Sequence, residues 1–281
     1  MAQVAGRIAY QGEPGANSHI ACQDVYPTFE PVACSTFEDV ISMVEEGQAD
    51  LAMIPIENTI AGRVGDIHHL LPSTRLHIIA EHLMPIRFQL MAPKGSQLDH
   101  IKQAHSHVMA LGQCRIFLRN HDIQATTAAD TAGAARFVAE LGDASVAAIA
   151  PALAAEVYGL DILSENIEDA QHNTTRFAIM SREPIDVDPA HGKVMMAFLF
   201  QVRNIPSSLY KALGGFATNG INITKLESYQ IEGSFSASQF YAEIEGHPDD
   251  RAVQLALEEL GFFSASLKIL GVYPASPARQ Y

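Results

Sequence analysis

Residues 181–193 read SREPIDVDPAHGK, and this stretch divides the 281-residue chain into two parts with different patterns. It contains two prolines, a glycine and several charged side chains. Prolines and glycines grouped in this way are typical of a connection between folded segments. The sequence therefore predicts two domains, residues 1–183 and residues 193–281, joined by a linker.

The part after the linker has the predicted order strand, helix, strand, strand, helix, strand. Leu209, Ala212, Leu213 and Phe216 recur at helical spacing, and Pro206 is expected to open that helix. This order predicts a ferredoxin-like βαββαβ fold, with both helices on one side of the sheet. Its third strand alternates between apolar Phe240, Ala242 and Ile244 on one face and Gln239, Tyr241, Glu243 and Glu245 on the other.

The part before the linker alternates short apolar strands with amphipathic helices. Ser35 and Glu38 have the spacing of a capping box at the start of one helix. Another helix is expected between Asp130 and Gly142, because its apolar residues recur at helical spacing and glycine commonly ends a helix. Alternation of this kind predicts an α/β fold built on a mainly parallel sheet.

Composition narrows the class of protein. The formal net charge is −14, which argues against nucleic-acid and anionic-membrane partners. The three cysteines are scattered, and the first residues lack the apolar core of a signal peptide, so a cytoplasmic protein is expected. The histidines at 68–69 and 105–107 lack the spacing of metal ligands, and nothing in the sequence calls for a metal or an organic cofactor.

Three stretches carry candidate chemistry. In the first, YQGEPGANSH at residues 10–19, a strand ends, glycines turn the chain and a helix begins near Ser18. Such a junction points backbone N–H groups at an anion, such as a carboxylate or a phosphate. The glycine spacing matches neither a dinucleotide fingerprint nor a phosphate-binding loop, so an ordinary strand–helix turn is the alternative.

The second stretch, PIENT, places Glu57, Asn58 and Thr59 at the end of a buried strand, where α/β folds bind ligands. Its alternative is a simple helix cap. The third, HNTTRF, begins another strand at residues 172–177. Because side chains alternate along a strand, Thr175 and Arg176 cannot both reach one ligand from regular β structure. Either Thr175 lies in a loop, or one of the two residues has a supporting role.

Taken in order, YQGEPGANS, PIENTIAG, NTTRF and the later GFATNGINITKLES resemble the prephenate dehydratases, in which a catalytic region precedes a regulatory ACT domain. The resemblance covers essentially the whole chain. It implies a two-lobed, type II periplasmic-binding-like catalytic region, and a reaction in which prephenate loses carbon dioxide and water to give phenylpyruvate. It also implies that Thr175 supplies the essential hydroxyl. The implied substrate-binding residues are Ser18, Glu57, Asn58, Thr59, Ser106, His107, Asn173, Arg176 and Phe177.

The resemblance further implies phenylalanine as an effector and a homodimer or homotetramer. The implied effector-binding residues are Asn204, Ser207, Ser208, Leu209, Asn219, Ile221, Asn222, Glu227 and Ser228. Two segments depart from the family pattern. Ser207-Ser208 stands where the family has Gly-Ala, and Tyr229-Gln230 stands where it has Arg-Pro.

The choice of substrate stays open from the sequence, since the PGANS form at residues 14–18 also resembles the plant arogenate dehydratases. Arogenate carries an amino group where prephenate carries a ketone. A different class of protein, a non-catalytic amino-acid sensor, is the remaining alternative, because both domain types also occur as binding modules. The trio Asn173, Thr175 and Arg176 beside PIENT favours an enzyme.

Overall fold

A computed structural model describes residues 5–203, 205–230 and 237–279. The helices are α1 Asn17–Val25, α2 Phe37–Glu45, α3 Gly65–Leu70, α4 Val108–Gln113, α5 Arg115–Asn120, α6 Thr131–Leu141, α7 Ala152–Tyr158, α8 Ser208–Thr218 and α9 Arg251–Phe263. The strands are β1 Gly6–Gln11, β2 Phe29–Cys34, β3 Leu51–Asn58, β4 Gly62–Arg63, β5 His77–Pro85, β6 Gln89–Ala92, β7 Gln103–His107, β8 Gln124–Ala128, β9 Val146–Ala150, β10 Asp161–Ser164, β11 Thr174–Ser181, β12 Val194–Val202, β13 Ile223–Gln230, β14 Ala237–Glu245 and β15 Ser264–Pro274. Among the described helices, none is both long and apolar enough to span a membrane.

The first lobe is built on a sheet with the strand order β2-β1-β3-β11-β5. Strand β1 pairs in parallel with both β2 and β3. Strand β3 is a run of apolar residues, four of them fully or nearly fully buried, that ends in Glu57 and Asn58. The polar end of β3 therefore lies beside β11, the strand that begins with Thr174 and Thr175.

The second lobe is built on a sheet with the order β10-β6-β9-β7-β8. Strand β7 is parallel to β8 and β9, whereas β6 is antiparallel to β9 and to β10. Four of the five strands therefore run in the same direction, as a mainly parallel sheet requires, and β6 alone runs against them. The short apolar run of β6 gives no sign of its direction, which depends on the path of the chain as it returns from the first lobe.

The helix ends show where local patterns succeed. Asp130 accepts a hydrogen bond from Gly133 N at the start of α6, and Gly142 ends that helix in the left-handed region. The expected capping box at Ser35 and Glu38 is wrong by one residue. Thr36 and Asp39 form it instead, with each side chain bonded to the other residue's backbone N–H. The pairs Ser35–Glu38 and Thr36–Asp39 have the same spacing. In the second pair the helix begins at Phe37, which is buried.

The chain forms two compact units. The first contains the described residues up to Ile67 together with His82–Phe177, and the second contains His68–Glu81 and the described residues from Ala178 onwards. Residues 68–81, which were expected in the catalytic domain, thus belong to the C-terminal unit. Strands β5 and β11 each continue through the division, so each contributes residues to both units.

The C-terminal unit has the expected βαββαβ order, in an antiparallel sheet arranged β13-β14-β12-β15. Phe198 stacks on Phe216 and lies at a tilt against Phe200 in its core, where both α8 and α9 pack on one face of the sheet. The expected start of α8 at Pro206 is early by two residues. Ser207 adopts a left-handed conformation with φ 62°, and the helix begins only at Ser208.

The other face of this sheet is also buried, which the polar residues of β14 did not indicate. Tyr241 donates to Glu243, and Glu243 is 1% exposed. Arg279 bridges Glu243 to Glu81, which is equally buried, with its guanidinium on both oxygens of Glu81. Residues 68–81 cover this face so closely that a Cβ on Gly271 would collide with the carbonyl oxygen of Ile78.

Candidate active site

A cleft of about 260 Å³ lies between the two lobes of the first unit. Residues from both lobes line it, and most lie at strand ends or in the first turns of helices. The lining residues are Asn17, Asn58, Ala61, Ile86, Phe88, His107, Met109, Ala110, Gln113, Asp130, Thr131, Asn173 and Thr175. Three of the substrate-binding candidates, Asn58, Asn173 and His107, therefore meet at one place together with Thr175.

Asn58 is oriented by its own backbone. Its Oδ1 accepts hydrogen bonds from the N–H groups of Ile60 at 2.9 Å and Ala61 at 2.8 Å. Since the carbonyl oxygen is used there, the amide nitrogen must point the other way. That nitrogen donates to Asn173 Oδ1 at 2.7 Å and to Thr175 Oγ1 at 3.0 Å. Glu57 and Asn58 are thus the last residues of β3 and Thr59 begins the turn after it, so they do not form the helix cap that the sequence allowed.

The same chain of amides reaches the second lobe. Asn173 Nδ2 donates to Gln113 Oε1 at 2.5 Å, and Gln113 is the last residue of α4. The oxygen of Thr175 accepts a hydrogen bond from Asn58, so the hydroxyl proton of Thr175 is available to a group in the cleft. A row of neutral groups therefore holds one hydroxyl in a fixed place. It can donate a hydrogen bond but carries no charge.

Arg176 faces away from Thr175, as strand alternation requires. The strand is regular from Thr174 onwards, so Arg176 takes the supporting role. Its Nε lies 2.6 Å from Glu57 Oε1, and the Arg176 side chain is 7% exposed. Arg176 and Glu57 therefore pair with each other at the neighbouring ends of β11 and β3. The pair fixes the two strand ends relative to each other.

Thr59 closes the same strand ends. Its Oγ1 donates to the His172 carbonyl at 2.7 Å and accepts from Thr174 N at 2.9 Å. Its own N–H donates to the Thr174 carbonyl at 2.9 Å. Thr59 thus ties the loop after β3 to the start of β11, which places Thr175 opposite Asn58.

Three other candidates are turned into the protein. Ser106 is fully buried and donates to the Ile149 carbonyl in the neighbouring strand at 2.5 Å. Phe177 is 1% exposed. Ser18 is buried in the first turn of α1. The positions of these three side chains favour a structural role over the expected contact with substrate. His107, by contrast, caps α4 by accepting from Met109 N at 3.3 Å and still lines the cleft.

The loop before α1 uses some of the N–H groups expected to bind an anion. Gly15 N donates to His19 Nδ1 at 3.0 Å, and Ala16 N donates to the Glu13 carbonyl. Burial lowers the pKa of His19, which keeps its ring neutral and able to accept. The N–H groups of Asn17 and Ser18 lie in the first turn of α1, so they have no acceptor within the helix. The first turn of α6 lines the cleft as well, and helix N-termini favour negative charge.

The sequence did not single out Gln113, Asn17, Asp130 or the apolar pair Ile86 and Phe88 as cleft residues. His107 caps the start of α4 and Gln113 is its last residue. Only the approach of the two lobes brings Gln113 to Asn173. The signal for Asp130 was present, since it begins a helix directly after a strand. Among the described residues no cluster of three or more His, Cys, Asp or Glu side chains could hold a metal ion.

The cysteines are poor nucleophiles. Burial raises the pKa of Cys22 to about 12. It also raises the pKa of Cys34 and that of Cys114, where the nearby carboxylates of Asp169 and Glu168 add to the effect. Because the thiolate is the reactive form, these cysteines fit structural roles. The chemistry of the cleft therefore depends on hydroxyl and amide groups.

Comparison with known proteins agrees with this geometry. Residues 8–185 match the family model described as prephenate dehydratase. The chain is 48% identical to a bifunctional N-acyl-homoserine lactone acylase/prephenate dehydratase of Komagataeibacter europaeus, over 97% of each chain. The chain belongs to the prephenate dehydratase family. It is also 38% identical to arogenate dehydratase/prephenate dehydratase 1 of Arabidopsis thaliana, over 97% of this chain and 73% of that protein.

Solved structures support the same placement in the prephenate dehydratase family. A prephenate dehydratase from Arthrobacter aurescens in complex with L-Phe has a TM-score of 0.87 and is 28% identical, covering 98% of this chain and 92% of that one. A second structure, described as a quorum-quenching acylase, has a TM-score of 0.91 and is 48% identical, covering 97% of this chain and 99% of that one. The chain is thus a lyase of the prephenate dehydratase family, with a periplasmic-binding-like catalytic region and an ACT-like C-terminal sheet.

The effector residues expected from that family lie in the C-terminal unit, except Asn204, which is outside the described residues. Ser207, Ser208 and Leu209 lie at the start of α8, and Asn219, Ile221 and Asn222 follow its end. Asn219 Nδ2 donates to the Gly215 carbonyl at 2.8 Å. Glu227 lies 3.4 Å from Lys225 in β13, beside Ser228. An 11-residue helix separates the first two groups by roughly 15 Å, at about 1.5 Å per residue.

Proposed function

We propose that this chain is a prephenate dehydratase, which converts prephenate to phenylpyruvate in phenylalanine biosynthesis. In the reaction the ring carboxylate leaves as carbon dioxide, and its bonding electrons enter the ring. The ring hydroxyl leaves and takes up one proton to become water. The catalyst must therefore stabilise charge on the departing oxygen, and a preorganised hydrogen-bond donor does this.

Thr175 supplies that donor. The observation that carries the proposal is the fixed amide of Asn58, which donates to Thr175 Oγ1 at 3.0 Å. With its oxygen already accepting a bond, the hydroxyl can donate a hydrogen bond to a substrate oxygen in the cleft. A threonine is too weak an acid to lose its proton outright, so it acts through this hydrogen bond and as a relay.

The two carboxylates of prephenate need positive surroundings. The first turns of α1 and α6 both contribute lining residues, Asn17 from one and Thr131 from the other. Helix N-termini of this kind bind carboxylates through backbone N–H groups and the helix dipole. Ile86 and Phe88 offer an apolar wall for the ring. This assignment explains how a protein with a net charge of −14 can bind a dianion.

The direct test is to incubate purified protein with prephenate at neutral pH and identify the products. Phenylpyruvate and carbon dioxide are expected, with both lost in Thr175→Ala. A parallel reaction with arogenate decides the alternative that the plant relatives suggest, since arogenate would give phenylalanine directly. Turnover of neither compound would favour the non-catalytic amino-acid sensor and overturn the proposal.

One relative is named for a second activity, as an N-acyl-homoserine lactone acylase, and it is 48% identical over 97% of both chains. That identity is the reason to test an N-acyl-homoserine lactone as a third substrate. In the described cleft, the Thr175 hydroxyl is hydrogen-bonded to the amide of Asn58, and the described contacts include no His or carboxylate partner. The geometry therefore supports the lyase reaction better than nucleophilic attack by an activated hydroxyl.

For regulation we propose that phenylalanine binds the C-terminal domain, residues 193–281, and inhibits the catalytic domain, residues 1–183. The structure with bound L-Phe at 28% identity supports this effector. The effector residues at the two ends of α8 are too far apart to hold one amino acid within a single copy. A ligand that touches both groups would lie between two copies, which favours a homodimer or homotetramer. A cytoplasmic location fits these assignments.

A further inference from the structure

The loop from Gly12 to Ala16 belongs to the first lobe, but the second lobe holds it by two polar contacts. Tyr158, the last residue of α7, donates from its hydroxyl to the Pro14 carbonyl at 2.9 Å. Arg136 of α6 forms an ion pair with Glu13 at 3.3 Å. Both contacts join the same short loop to two helices of the opposite lobe.

Packing strengthens the attachment. A Cβ built on Gly15 would lie 2.7 Å from Cα of Ala154 in α7, so only glycine allows this approach. Gly15 also has φ +89°, a conformation that favours glycine independently. The next residue, Ala16, packs against the apolar cluster of the second lobe. The loop therefore sits on the second lobe by shape as well as by its polar contacts.

The loop leads directly into the candidate active site. Asn17, which follows Ala16, is the first residue of α1 and lines the cleft. Arg136 lies on α6, whose N-cap Asp130 and first residue Thr131 line the same cleft. The contacts from α6 and α7 thus set the distance between the two helix N-termini that face the substrate.

We propose that Tyr158 and Arg136 are positioning residues that clasp the Gly12–Ala16 loop across the lobes and hold the first turns of α1 and α6 at the spacing that the substrate requires. This proposal rests on the proposed function. The tyrosine keeps its proton at neutral pH, because burial raises the pKa of Tyr158 and the charge of Glu13 raises it further. The ion pair is partly exposed, with side chains 48% and 38% accessible, so salt weakens it.

The test uses Tyr158→Phe, which removes the hydrogen bond, and Glu13→Gln, which removes the negative charge of the ion pair; both keep the size of the side chain. We expect KM for prephenate to rise about 3- to 10-fold in Tyr158→Phe, the scale of one hydrogen bond. In Glu13→Gln it should rise by up to about fivefold, the scale of a partly exposed ion pair. The kcat should change by less than about twofold, because uniform binding is lost and the reacting groups are intact. Glu140→Gln is the matched control. Glu140 pairs with the same Arg136, at 3.6 Å within α6, but does not touch the loop.

If Tyr158 and Glu13 only stabilised the fold, KM would not rise selectively at an unchanged kcat. The reversed pair, Glu13→Arg with Arg136→Glu, should restore KM toward the wild-type value, and the rise in Glu13→Gln should shrink at high salt. An unchanged KM in both single variants, or an equal rise in Glu140→Gln, would overturn the proposal. Melting temperatures identify any variant that is simply unfolded. If a single variant is unfolded, the KM of the reversed pair decides whether the charge pairing between residues 13 and 136 matters.

Failure of the proposed function gives a different result. If the wild-type protein does not turn over prephenate, hydrogen exchange of the peptide covering residues 12–16 still tests the clasp. Faster exchange in Tyr158→Phe and Glu13→Gln, with the wild-type rate in Glu140→Gln, supports the clasp without reference to activity. Wild-type exchange rates in all three variants would contradict it.

Discussion

Thr175 and Thr174 are neighbours of the same type, yet only one faces the cleft. Asn58 donates to Thr175 Oγ1, whereas Thr174 contributes its backbone N–H and carbonyl to Thr59. We predict that Thr175→Ala lowers kcat by about 10²-fold or more, the cost of one transition-state donor. Thr175→Ser, which keeps the hydroxyl, should retain much more activity. Steady-state kinetics on prephenate measure both.

Thr174→Ala is the matched control for that prediction, and its kcat should stay close to the wild-type value. If Thr174→Ala proves the more damaging of the two alanine variants, the assignment of the catalytic hydroxyl is wrong. The register itself followed from the sequence, because strand alternation separates neighbours onto opposite faces. The role of Arg176 did not follow, since only the fold shows that its partner is Glu57 at 2.6 Å.

At the scale of single elements, α8 offers two adjacent glycines in different surroundings. A Cβ on Gly214 meets nothing within 4 Å. A Cβ on Gly215 would lie 2.9 Å from Cβ of Glu259 and 3.2 Å from Cα of Ala256, both in α9. The close packing of α8 on α9 therefore depends on Gly215 and not on Gly214.

We predict that Gly214→Ala raises the free energy of unfolding by up to about 1 kcal/mol, because alanine is the better helix former. Gly215→Ala should instead lower it by about 1–3 kcal/mol, because the two helices must move apart. Urea denaturation of the two variants measures the difference directly. Stabilisation by both substitutions would show that α8 and α9 are less closely packed than described.

The elements also show what sequence patterns can and cannot supply. The apolar spacing of α8 predicted the helix and its buried face, but Ser207 in a left-handed conformation delayed its start. The alternation along β14 predicted its polar face, but it did not predict that residues 68–81 cover that face. No local pattern predicts that segment, since it comes from a part of the chain more than a hundred residues earlier. Within the cleft, strand-end polar residues were predictable and the partner from the opposite lobe, Gln113, was not.

At the scale of the whole molecule, Arg279 near the end of the chain neutralises two carboxylates. The side chains of Glu81 and Glu243 are each 1% exposed, and Arg279 lies 2.6 Å from the first and 3.1 Å from the second. Removing the arginine leaves buried charge without its partner, which typically costs 3–5 kcal/mol. We predict that Arg279→Ala lowers the free energy of unfolding by about that amount.

Arg251→Ala is the control for this effect, because Arg251 is an exposed residue at the start of α9 and carries the same charge. It should change stability by about 0.5 kcal/mol or less. Chemical denaturation followed by circular dichroism compares the two variants. Equal stability of Arg279→Ala and wild type would mean that the carboxylates are solvated, against their burial in the structure.

Strands β13 and β15 form the edges of the C-terminal sheet, and Leu226, Leu267 and Ile269 on them are 37–42% exposed. Unpaired edges with apolar side chains favour association with another copy. We predict a dimer or larger by light scattering at micromolar concentration, shifted toward monomer by Ile269→Asp. The control is Ile116→Asp, an equally apolar exposed site on α5 of the other unit.

Assembly and regulation should fail together. Two groups of the proposed effector residues flank α8, roughly 15 Å apart, so under this proposal phenylalanine needs two copies to contact both groups. An effector can inhibit only through different affinity for two states, and the paired state is the one that holds this site. Ile269→Asp should therefore keep turnover of prephenate but lose calorimetric heat and inhibition with phenylalanine, while Ile116→Asp keeps both. A monomeric variant that phenylalanine still inhibits would place the effector site within one copy and contradict the argument from the length of α8.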